Sequence, residues 1–328
     1  MTVVLVGPTA VGKSSLAVAL ARHYAATGQP AEVVNADSML VYRGMDIGTA
    51  KPTEAERQGV PHHLLDVLDV SQTATVADFQ AMARAAIADC RQRGVLPVVV
   101  GGSALYVRAV LDDFVFPGTD PVLRRQLEDE LERVGSEALH RRLAERDPAA
   151  AALMEPANGR RVVRALEVLE LTGGPYTAAL PEHRSVLPDV VQIGLSVERP
   201  VLDARIEARV DAMWRAGFVA EVRQLAAASP SLRDGLTASR ALGYRQLLAH
   251  LDGGLSEDEA RARTVTGTRK FARRQGGWFR RDPRIHWLAW DRPDLVAAAY
   301  AVAGPRGDGR GTPEPAGRAG SAAGAVGD

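Results

Sequence analysis

Cysteine is almost missing from this chain, since Cys90 is the only one among 328 residues. A single cysteine excludes disulfides within the chain and zinc sites built from several cysteines, which fits a reducing cytoplasm. We expect Cys90 to be a small, buried helix residue. The chain also lacks any uninterrupted apolar run of about 18 residues, so we predict a protein that works in water without a membrane partner. The N-terminal residues show no basic leader of a secretory signal.

An excess of charge of either sign is missing too. Lysine and arginine total 40, and aspartate and glutamate also total 40, so the net charge gives no indication of a polyanionic partner. The distribution is more informative, because nine basic residues and one acid lie between Arg261 and Arg284, interrupted by Phe271, Trp278 and Phe279. Cations pair with phosphates and aromatic rings stack on bases, so this segment is a candidate nucleic-acid surface. From composition alone, a solvated helix face explains it equally well.

Short β-branched segments alternate with longer helical patterns along most of the chain. This alternation predicts an α/β fold with a mainly parallel sheet, and the strand candidates are residues 3–6, 32–35, 97–100, 190–197 and 285–290. Residues 118–188 have helical periodicity without strands, so we predict a helical insertion domain there and a second helical block at 201–281. The core would then comprise residues 1–117 and 189–303. A tail at 304–328 is expected to be disordered, because it has almost no large apolar side chains.

Residues 7–14 match the phosphate-binding pattern G-x-x-x-x-G-K-[ST]. A strand candidate precedes the motif and a helical pattern follows it, which is the context that this loop requires. The predicted diphosphate contacts are Gly7, Pro8, Thr9, Ala10, Val11, Gly12, Lys13 and Ser14. Backbone amides would surround the phosphates, Lys13 would add positive charge, and the Ser14 hydroxyl would bind Mg²⁺. The motif leaves open which diphosphate binds, because ATPases, kinases and group transferases all use it.

The ends of the next two strand candidates narrow the choice among these protein classes. The second leads into Asp37, which places a carboxylate at the carboxyl edge of the sheet, where ligands of open α/β sheets bind. The third ends in Gly101, Gly102 and Ser103, without the Mg²⁺-positioning aspartate expected of an ordinary ATPase. Asp37 could supply that aspartate, so this pattern argues against an ordinary ATPase without deciding the question.

The segment after the second strand resembles the second signature motif of the bacterial tRNA dimethylallyltransferase family. It reads DSMLVYRGMDIGTAKP over residues 37–52. Shorter segments also resemble the family, and they are PHHLLD at 61–66, GGSALY at 101–106, RRVVRALEV at 160–168, GYRQ at 243–246 and TRKFARRQGGW at 268–278. The likeness covers the chain from residue 2 to about residue 290. It implies a P-loop NTPase-like core with a helical insertion domain and C-terminal tRNA-binding helices.

The resemblance implies transfer of a dimethylallyl group from dimethylallyl diphosphate to N6 of adenosine 37 in tRNAs that read codons beginning with U. Asp37 would be the general base for the poorly nucleophilic amine. Lys13, the loop amides, Mg²⁺ and Arg209 would stabilise the leaving diphosphate. Arg205, which shares a helix face with Arg209, could also reach it. Ser103 would hydrogen-bond near the adenine, although its position also suits a helix N-cap. We expect a cytoplasmic monomer.

The resemblance also assigns a set of tRNA contacts. Taken singly, most of its arginines would be ordinary surface residues, but together they favour binding of the tRNA anticodon stem-loop through backbone phosphates. The predicted contacts are Asp37, Ser38, Met39, Leu40, Ser103, Arg124, Arg160, Arg161, Arg164, Arg240, Gly243, Tyr244, Arg245, Arg273, Arg274, Gln275, Trp278 and Arg280. Trp278 is a candidate for stacking on a base, but a large aromatic residue in a helical segment is more often part of the core.

Five positions depart from the family pattern. Val11 replaces a common Ser, Ser14 and Ser103 replace Thr, Leu40 replaces a frequent Gln, and Gly277 replaces a usual Thr. Ser14 and Ser103 keep their hydroxyl groups, so we expect the chemistry to survive. Leu40 removes a possible hydrogen bond to the tRNA.

Three other functions share parts of these motifs. A nucleotide-type kinase would use the phosphate loop with ATP but would not need the basic C-terminal helices. A prenyltransferase acting on free AMP would share the chemistry, but the long helical insertion argues against it. An RNA-binding NTPase switch would use both the phosphate loop and the basic C-terminal helices, but without covalent chemistry. His62 and His63 could suggest a metal site, but no cysteine or second histidine pair accompanies them in the sequence, so we assign them to structure.

Overall fold

The computed structural model describes residues 1–73, 75–114, 116–176 and 183–305. The strands are β1 (Thr2–Val6), β2 (Ala31–Asn35), β3 (His62–His63), β4 (Leu96–Gly101), β5 (Val190–Ser196) and β6 (Ile285–Ala289). They form one parallel sheet in the order β3-β2-β4-β1-β5-β6. This arrangement confirms the predicted α/β class with a mainly parallel sheet.

Helices cover the sheet and continue beyond it. They are α1 (Lys13–Ala26), α2 (Glu54–Arg57), α3 (Val76–Gln92), α4 (Ala104–Leu111), α5 (Pro121–Val134), α6 (Ser136–Arg146), α7 (Pro148–Ala152), α8 (Gly159–Thr172), α9 (Arg199–Arg215), α10 (Phe218–Ala227), α11 (Tyr244–Leu251), α12 (Glu257–Phe279) and α13 (Leu295–Ala303). Two short 3₁₀ helices, Leu232–Asp234 and Ala238–Arg240, precede α11.

The strand order brings the carboxyl ends of β1, β2 and β4 to the same edge of the sheet. β1 lies between β4 and β5, and β2 lies on the other side of β4. The last residues of β1 and β4, Val6 and Gly101, are opposite each other. The segments that follow these strands are the 7–14 loop, Asp37 and Ser103. They lie at the same edge of the sheet, because parallel strands all end on the same side.

Apolar residues fill both faces of this sheet. β1 and β4 are buried along their whole length, as is typical of strands covered by helices on both sides. Their side chains alternate between the faces, so Val4 and Val6 belong to one hydrophobic cluster while Val3 and Leu5 belong to the other. Helices α3, α4, α10, α11 and α12 contribute to the first cluster, and α1 and α13 contribute to the second.

Helices α5 to α8 enclose a hydrophobic cluster of their own. Leu123, Leu127 and Leu131 of α5 recur every four residues and pack into this cluster, with Leu127 buried. Glu167 of α8 is fully buried beside it, and Arg124 and Arg164 both donate hydrogen bonds to its carboxylate. The assignment of residues 118–188 to a separate domain stays a prediction.

Strand β3 was not predicted, because a two-residue strand is too short to show periodicity. His62 and His63 form it by pairing with β2. Residues 306–328, which belong to the predicted disordered tail, lie outside the described residues. Across the described ranges, no helix combines the length and apolar character that crossing a membrane requires.

Candidate active site and nucleic-acid surface

The 7–14 loop joins β1 to α1 through backbone conformations that favour glycine. Gly7 and Gly12 have φ angles of 143° and 108°, in the region where a Cβ atom is disfavoured. A Cβ atom on Gly7 would also lie 3.1 Å from the carbonyl oxygen of Leu195 in β5. Gly12 immediately precedes α1, so the loop leads directly into a helix N-terminus. Such a terminus attracts anions through its free amides and its dipole.

Two helices distant in sequence hold this loop in place. Arg205 of α9 donates from Nε to the carbonyl oxygen of Ala10 at 2.9 Å, and its guanidinium group lies 4.1 Å from the centre of the Trp290 ring. Gln275 of α12 accepts a hydrogen bond from the Thr9 amide at 2.9 Å. Arg205, which the sequence placed near the diphosphate, therefore supports the loop itself.

Lys13 and Arg209 bring two cationic groups together at the loop. Burial and the charge of Arg209 lower the pKa of Lys13 from 10.5 to about 7, and the Asp37 carboxylate opposes that shift. Burial also lowers the pKa of Arg209, again against the influence of Asp37. Lys13 Nζ donates to the carbonyl oxygen of Pro8 at 2.8 Å, and Arg209 Nη2 donates to that of Thr49 at 3.4 Å. Two desolvated cations at the same loop form a site that favours a bound anion.

The turn after β2 orients the carboxylate of Asp37. Asn35 Oδ1 accepts the Asp37 amide hydrogen at 2.8 Å, while Asn35 Nδ2 donates to the carbonyl oxygens of Asp37 and Leu64. The Met39 amide donates to Asp37 Oδ1 at 2.9 Å. Asp37 Oδ2 has no hydrogen-bond partner among the residues that the structure describes. One oxygen is thus held in position and the other is left to accept a proton.

Two glycines after β4 allow the neighbouring segments to approach closely. A Cβ atom on Gly101 would lie 2.7 Å from the carbonyl oxygen of Ala36. A Cβ atom on Gly102 would lie 2.7 Å from Gln275 Nε2 and 3.5 Å from Lys13 Nζ. Glycine is needed at position 101, because the close atom there belongs to the backbone. At position 102 a Cβ atom would displace the Gln275 carboxamide group.

Two serine hydroxyls belong to the same region. Ser103 is the N-cap residue of α4, but its side chain makes no capping hydrogen bond, so the capping function that its position suggested is not observed. Ser14 is exposed in the first turn of α1. Mg²⁺ prefers oxygen ligands, keeps several waters and bridges phosphate oxygens. An exposed hydroxyl beside a phosphate loop fits that ion.

Contacts within the protein account for several residues of the 37–52 segment. The buried Lys51 ammonium group donates to Asp66 Oδ1 at 2.5 Å and to a second carboxylate inside the segment. Glu221 of α10 accepts hydrogen bonds from three successive backbone amides of the segment and from the Tyr244 hydroxyl. The sequence analysis missed Glu221, because no local pattern distinguishes it from an ordinary surface glutamate.

The exposed members of the predicted tRNA-binding set lie on α8, α11 and α12 or next to these helices. They are Arg160, Arg161, Arg240, Arg245, Arg273, Arg274, Trp278 and Arg280. Trp278 is 44% exposed, so the alternative that placed it in the core is wrong. On α12, Arg274 and Trp278 are one turn apart and lie on the same face. These residues, with the half-buried Asp37, Met39, Leu40 and Ser103, stay predicted tRNA contacts.

Six members of the predicted set are placed differently. They are Ser38, Arg124, Arg164, Gly243, Tyr244 and Gln275. The two arginines pair with the buried carboxylate of Glu167, and the other four face the protein interior. We therefore correct the assignment of the four buried residues from tRNA contacts to contacts within the protein, because burial removes them from a docking surface. The side chains of Arg124 and Arg164 are 32% and 25% exposed and share one carboxylate, so their assignment as tRNA contacts stays a prediction.

Cys90 is buried in α3, as predicted, and the fold brings it next to His63, although no cysteine lies near the histidines in the sequence. Cys90 Sγ lies 3.6 Å from His63 Nε2, which lies 2.7 Å from Glu32 Oε2. Arg93 donates to both carboxylate oxygens of Glu32 and thereby lowers the pKa of that carboxyl group to about 2. The guanidinium group already neutralises the carboxylate that a metal ion would need.

Comparisons with known proteins agree with the motifs. The family model described as IPP transferase matches residues 40–282. The chain is 62% identical over 300 residues to the tRNA dimethylallyltransferase of Thermobifida fusca, covering 92% of this chain and 93% of that protein. It is 57% identical over 303 residues to the tRNA dimethylallyltransferase of Streptomyces coelicolor, covering 92% and 95%.

Solved structures show the same likeness. The full-length tRNA isopentenylpyrophosphate transferase from Bacillus halodurans is 40% identical, with a TM-score of 0.66 over 92% of this chain and 95% of that one. A eukaryotic dimethylallyltransferase acting on tRNA is 29% identical, with a TM-score of 0.77 over 92% of this chain and 77% of that one. With its family match and these relatives, this chain belongs to the tRNA dimethylallyltransferase family, as its sequence motifs predicted.

Proposed function

We propose that this protein transfers a dimethylallyl group from dimethylallyl diphosphate to N6 of adenosine 37 in tRNAs that read codons beginning with U. It releases diphosphate and acts in the cytoplasm as a monomer. The main support is that Asp37 interacts electrostatically with Lys13 and Arg209 at the phosphate loop. A carboxylate beside two cations suits a reaction that removes a proton and expels an anion. The names of the relatives support the choice of substrates.

Asp37 is the general base. The lone pair of an adenine N6 amine is delocalised into the ring, so the amine attacks effectively only as it loses a proton. The N–C bond forms at the allylic carbon while the C–O bond to the diphosphate breaks, and the proton moves to Asp37 Oδ2. The hydrogen bond from Met39 to Oδ1 keeps the carboxylate in position. The Ser103 hydroxyl orients the adenine.

The cationic groups stabilise the leaving diphosphate. Negative charge grows on its oxygens as the C–O bond breaks, and Lys13, Arg209 and the loop amides interact with that charge more strongly in the transition state. Lys13 must be protonated for this purpose. A bound diphosphate favours the charged form and opposes the burial that lowers the pKa of Lys13. The Ser14 hydroxyl would hold Mg²⁺, which would supply further positive charge to the leaving diphosphate.

The exposed arginines of α8, α11 and α12 form the surface for the anticodon stem-loop. Their guanidinium groups pair with backbone phosphates, and Trp278 offers a face for base stacking. Adenosine 37 leaves the stacked loop to reach Asp37, which costs little for a loop nucleotide. Met39 and Leu40 lie two and three positions after Asp37 and contact the nucleotides around adenosine 37.

A kinase, or a prenyltransferase acting on AMP, would use the same phosphate loop, and one assay separates these functions. The full chain is incubated with labelled dimethylallyl diphosphate, Mg²⁺ and either unmodified tRNA, AMP or ATP. We expect label in the tRNA at adenosine 37. Label in AMP alone, or turnover of ATP without prenyl transfer, would overturn the proposal.

Replacing the carboxylate tests the assignment of the base. We expect Asp37→Asn to lower kcat by about 10²–10⁴-fold, because an amide cannot accept the proton. The dissociation constant for tRNA should change by less than about twofold, since the base acts on the chemical step. Asp291→Asn is the control, because Asp291 is exposed outside the site and its loss should leave kcat unchanged. Equal losses of tRNA binding and of rate in Asp37→Asn would contradict the assignment.

A further inference from the structure

Gln275 is a polar residue on the inner side of the helix that carries the basic surface. Its side chain is only 5% exposed, whereas Arg274 and Trp278 on the same helix are exposed. The helical repeat is compatible with this difference, because residue 275 is more than a quarter turn from 274 and borders the face that 274 and 278 share. Helix α12 therefore presents cations to solvent and inserts a carboxamide group beside the phosphate loop.

Hydrogen bonding determines which end of this carboxamide faces the loop. The Thr9 amide is a donor, so the atom 2.9 Å from it is the acceptor Oε1. The opposite orientation would place two donors against each other. Nε2 therefore points to the other side, toward Gly102. Within the described part of the chain, no acceptor for Nε2 is present.

The space next to Nε2 adjoins the cationic site. The point that a Cβ atom on Gly102 would occupy lies 2.7 Å from Gln275 Nε2 and 3.5 Å from Lys13 Nζ. Gln275 Nε2 is not one of the fully buried polar atoms that lack a partner, so a ligand can reach it, and the ammonium group beside it is desolvated. A phosphate oxygen would accept hydrogen bonds from both nitrogen atoms and would neutralise the charge.

We propose that Gln275 is a diphosphate-binding residue. Its Nε2 donates to an oxygen of the prenyl diphosphate, while its Oε1 holds the Thr9 amide and thus the shape of the loop. This assignment rests on the proposed function, which places the diphosphate at the 7–14 loop. It also means that the helix bearing the tRNA surface completes the binding site of the other substrate.

Gln275→Glu tests the acceptor and the donor of the carboxamide group separately. A glutamate keeps an oxygen for the Thr9 amide but replaces the donor with a negative charge. We expect pyrophosphate, used as a competitive inhibitor of the full chain, to bind about ten- to hundredfold more weakly at about pH 8, with a parallel rise in KM for dimethylallyl diphosphate. The ratio of the pyrophosphate dissociation constants of variant and wild type should shrink as the pH falls toward about 4.3, where protonation of the glutamate restores a donor. The dissociation constant for tRNA should change by less than about twofold.

Gln246→Glu is the matched control. Gln246 is 6% exposed, and its Oε1 accepts a backbone amide hydrogen, that of Gly243, at 2.9 Å. Because it contacts no part of the phosphate loop, its substitution should leave pyrophosphate affinity unchanged. Three outcomes would overturn the proposal: unchanged pyrophosphate affinity in Gln275→Glu, equal weakening in both variants, or a loss confined to tRNA affinity.

Lys13→Ala distinguishes a failure of this proposal from a failure of the proposed function. If the 7–14 loop holds the diphosphate, this variant loses pyrophosphate affinity whatever Gln275 does. Retained affinity in Lys13→Ala would reject the loop as the diphosphate site. Lost affinity in Lys13→Ala, together with wild-type affinity in Gln275→Glu, would reject only the assignment of Gln275.

Discussion

Replacing Lys13 with methionine should stabilise the folded protein while it abolishes transfer. Burial and the charge of Arg209 lower the pKa of Lys13 from 10.5 to about 7, so the folded state disfavours the ammonium form that the unfolded chain carries at neutral pH. Each pKa unit corresponds to about 1.4 kcal/mol, which gives an upper figure of about 4 kcal/mol at pH 7. Partial exposure of the side chain reduces this figure. Loss of the hydrogen bond to Pro8 reduces the gain in the free energy of unfolding by about 1 kcal/mol more. We expect a net gain of about 1–3 kcal/mol.

The pH dependence of that gain identifies its cause. Because the folded pKa lies below the unfolded one, the unfolded chain binds more protons between about pH 7 and pH 10.5. Wild-type stability therefore rises with pH across this window, and the advantage of Lys13→Met is largest below pH 7 and shrinks as the pH approaches 10.5. Urea unfolding of both proteins at several pH values measures the difference. A destabilised variant, or a difference that does not change with pH, would refute the reasoning.

Two further predictions concern the surface and the insertion. Arg274→Gln should weaken tRNA binding and reduce the slope of log K against log salt by about 1, because one phosphate contact is lost; an unchanged slope would remove Arg274 from the tRNA surface. Glu167→Ala should destabilise helices α5 to α8 by about 3–5 kcal/mol, because two arginines lose a buried carboxylate. Thermal unfolding, monitored by circular dichroism, measures this loss. A change below about 1 kcal/mol would contradict the structural importance of the Glu167 ion pairs.

Patterns that depend on neighbouring residues were predictable from sequence. The strands are apolar and β-branched and the phosphate loop has glycines where φ is positive, so both follow from local chemistry. The parallel sheet then placed the loop, Asp37 and Ser103 at one edge, because the carboxyl ends of its strands coincide. Strand β3 could not be predicted, because its two residues are strands only through their pairing with β2.

Contacts between residues far apart in the chain could not be predicted in the same way. The sequence placed Tyr244 and Gln275 among the tRNA contacts, since each lies in a segment rich in basic residues. In the folded chain Tyr244 donates to Glu221, and Gln275 accepts from Thr9 across an interval of 266 residues. Helical periodicity shows that a helix has two faces, but it does not show which neighbour each face contacts.

The sequence by itself determined the class of fold, the phosphate loop, the carboxylate that follows β2 and the family, because each of these resides in a contiguous run of residues. The tertiary structure alone decided that Arg205 and Gln275 support the loop, that Glu221 anchors the segment after Asp37, and that Lys13 is desolvated. Hydrogen bonds and burial depend on distances in space, and the packing of α9, α10 and α12 against the edge of the sheet sets those distances.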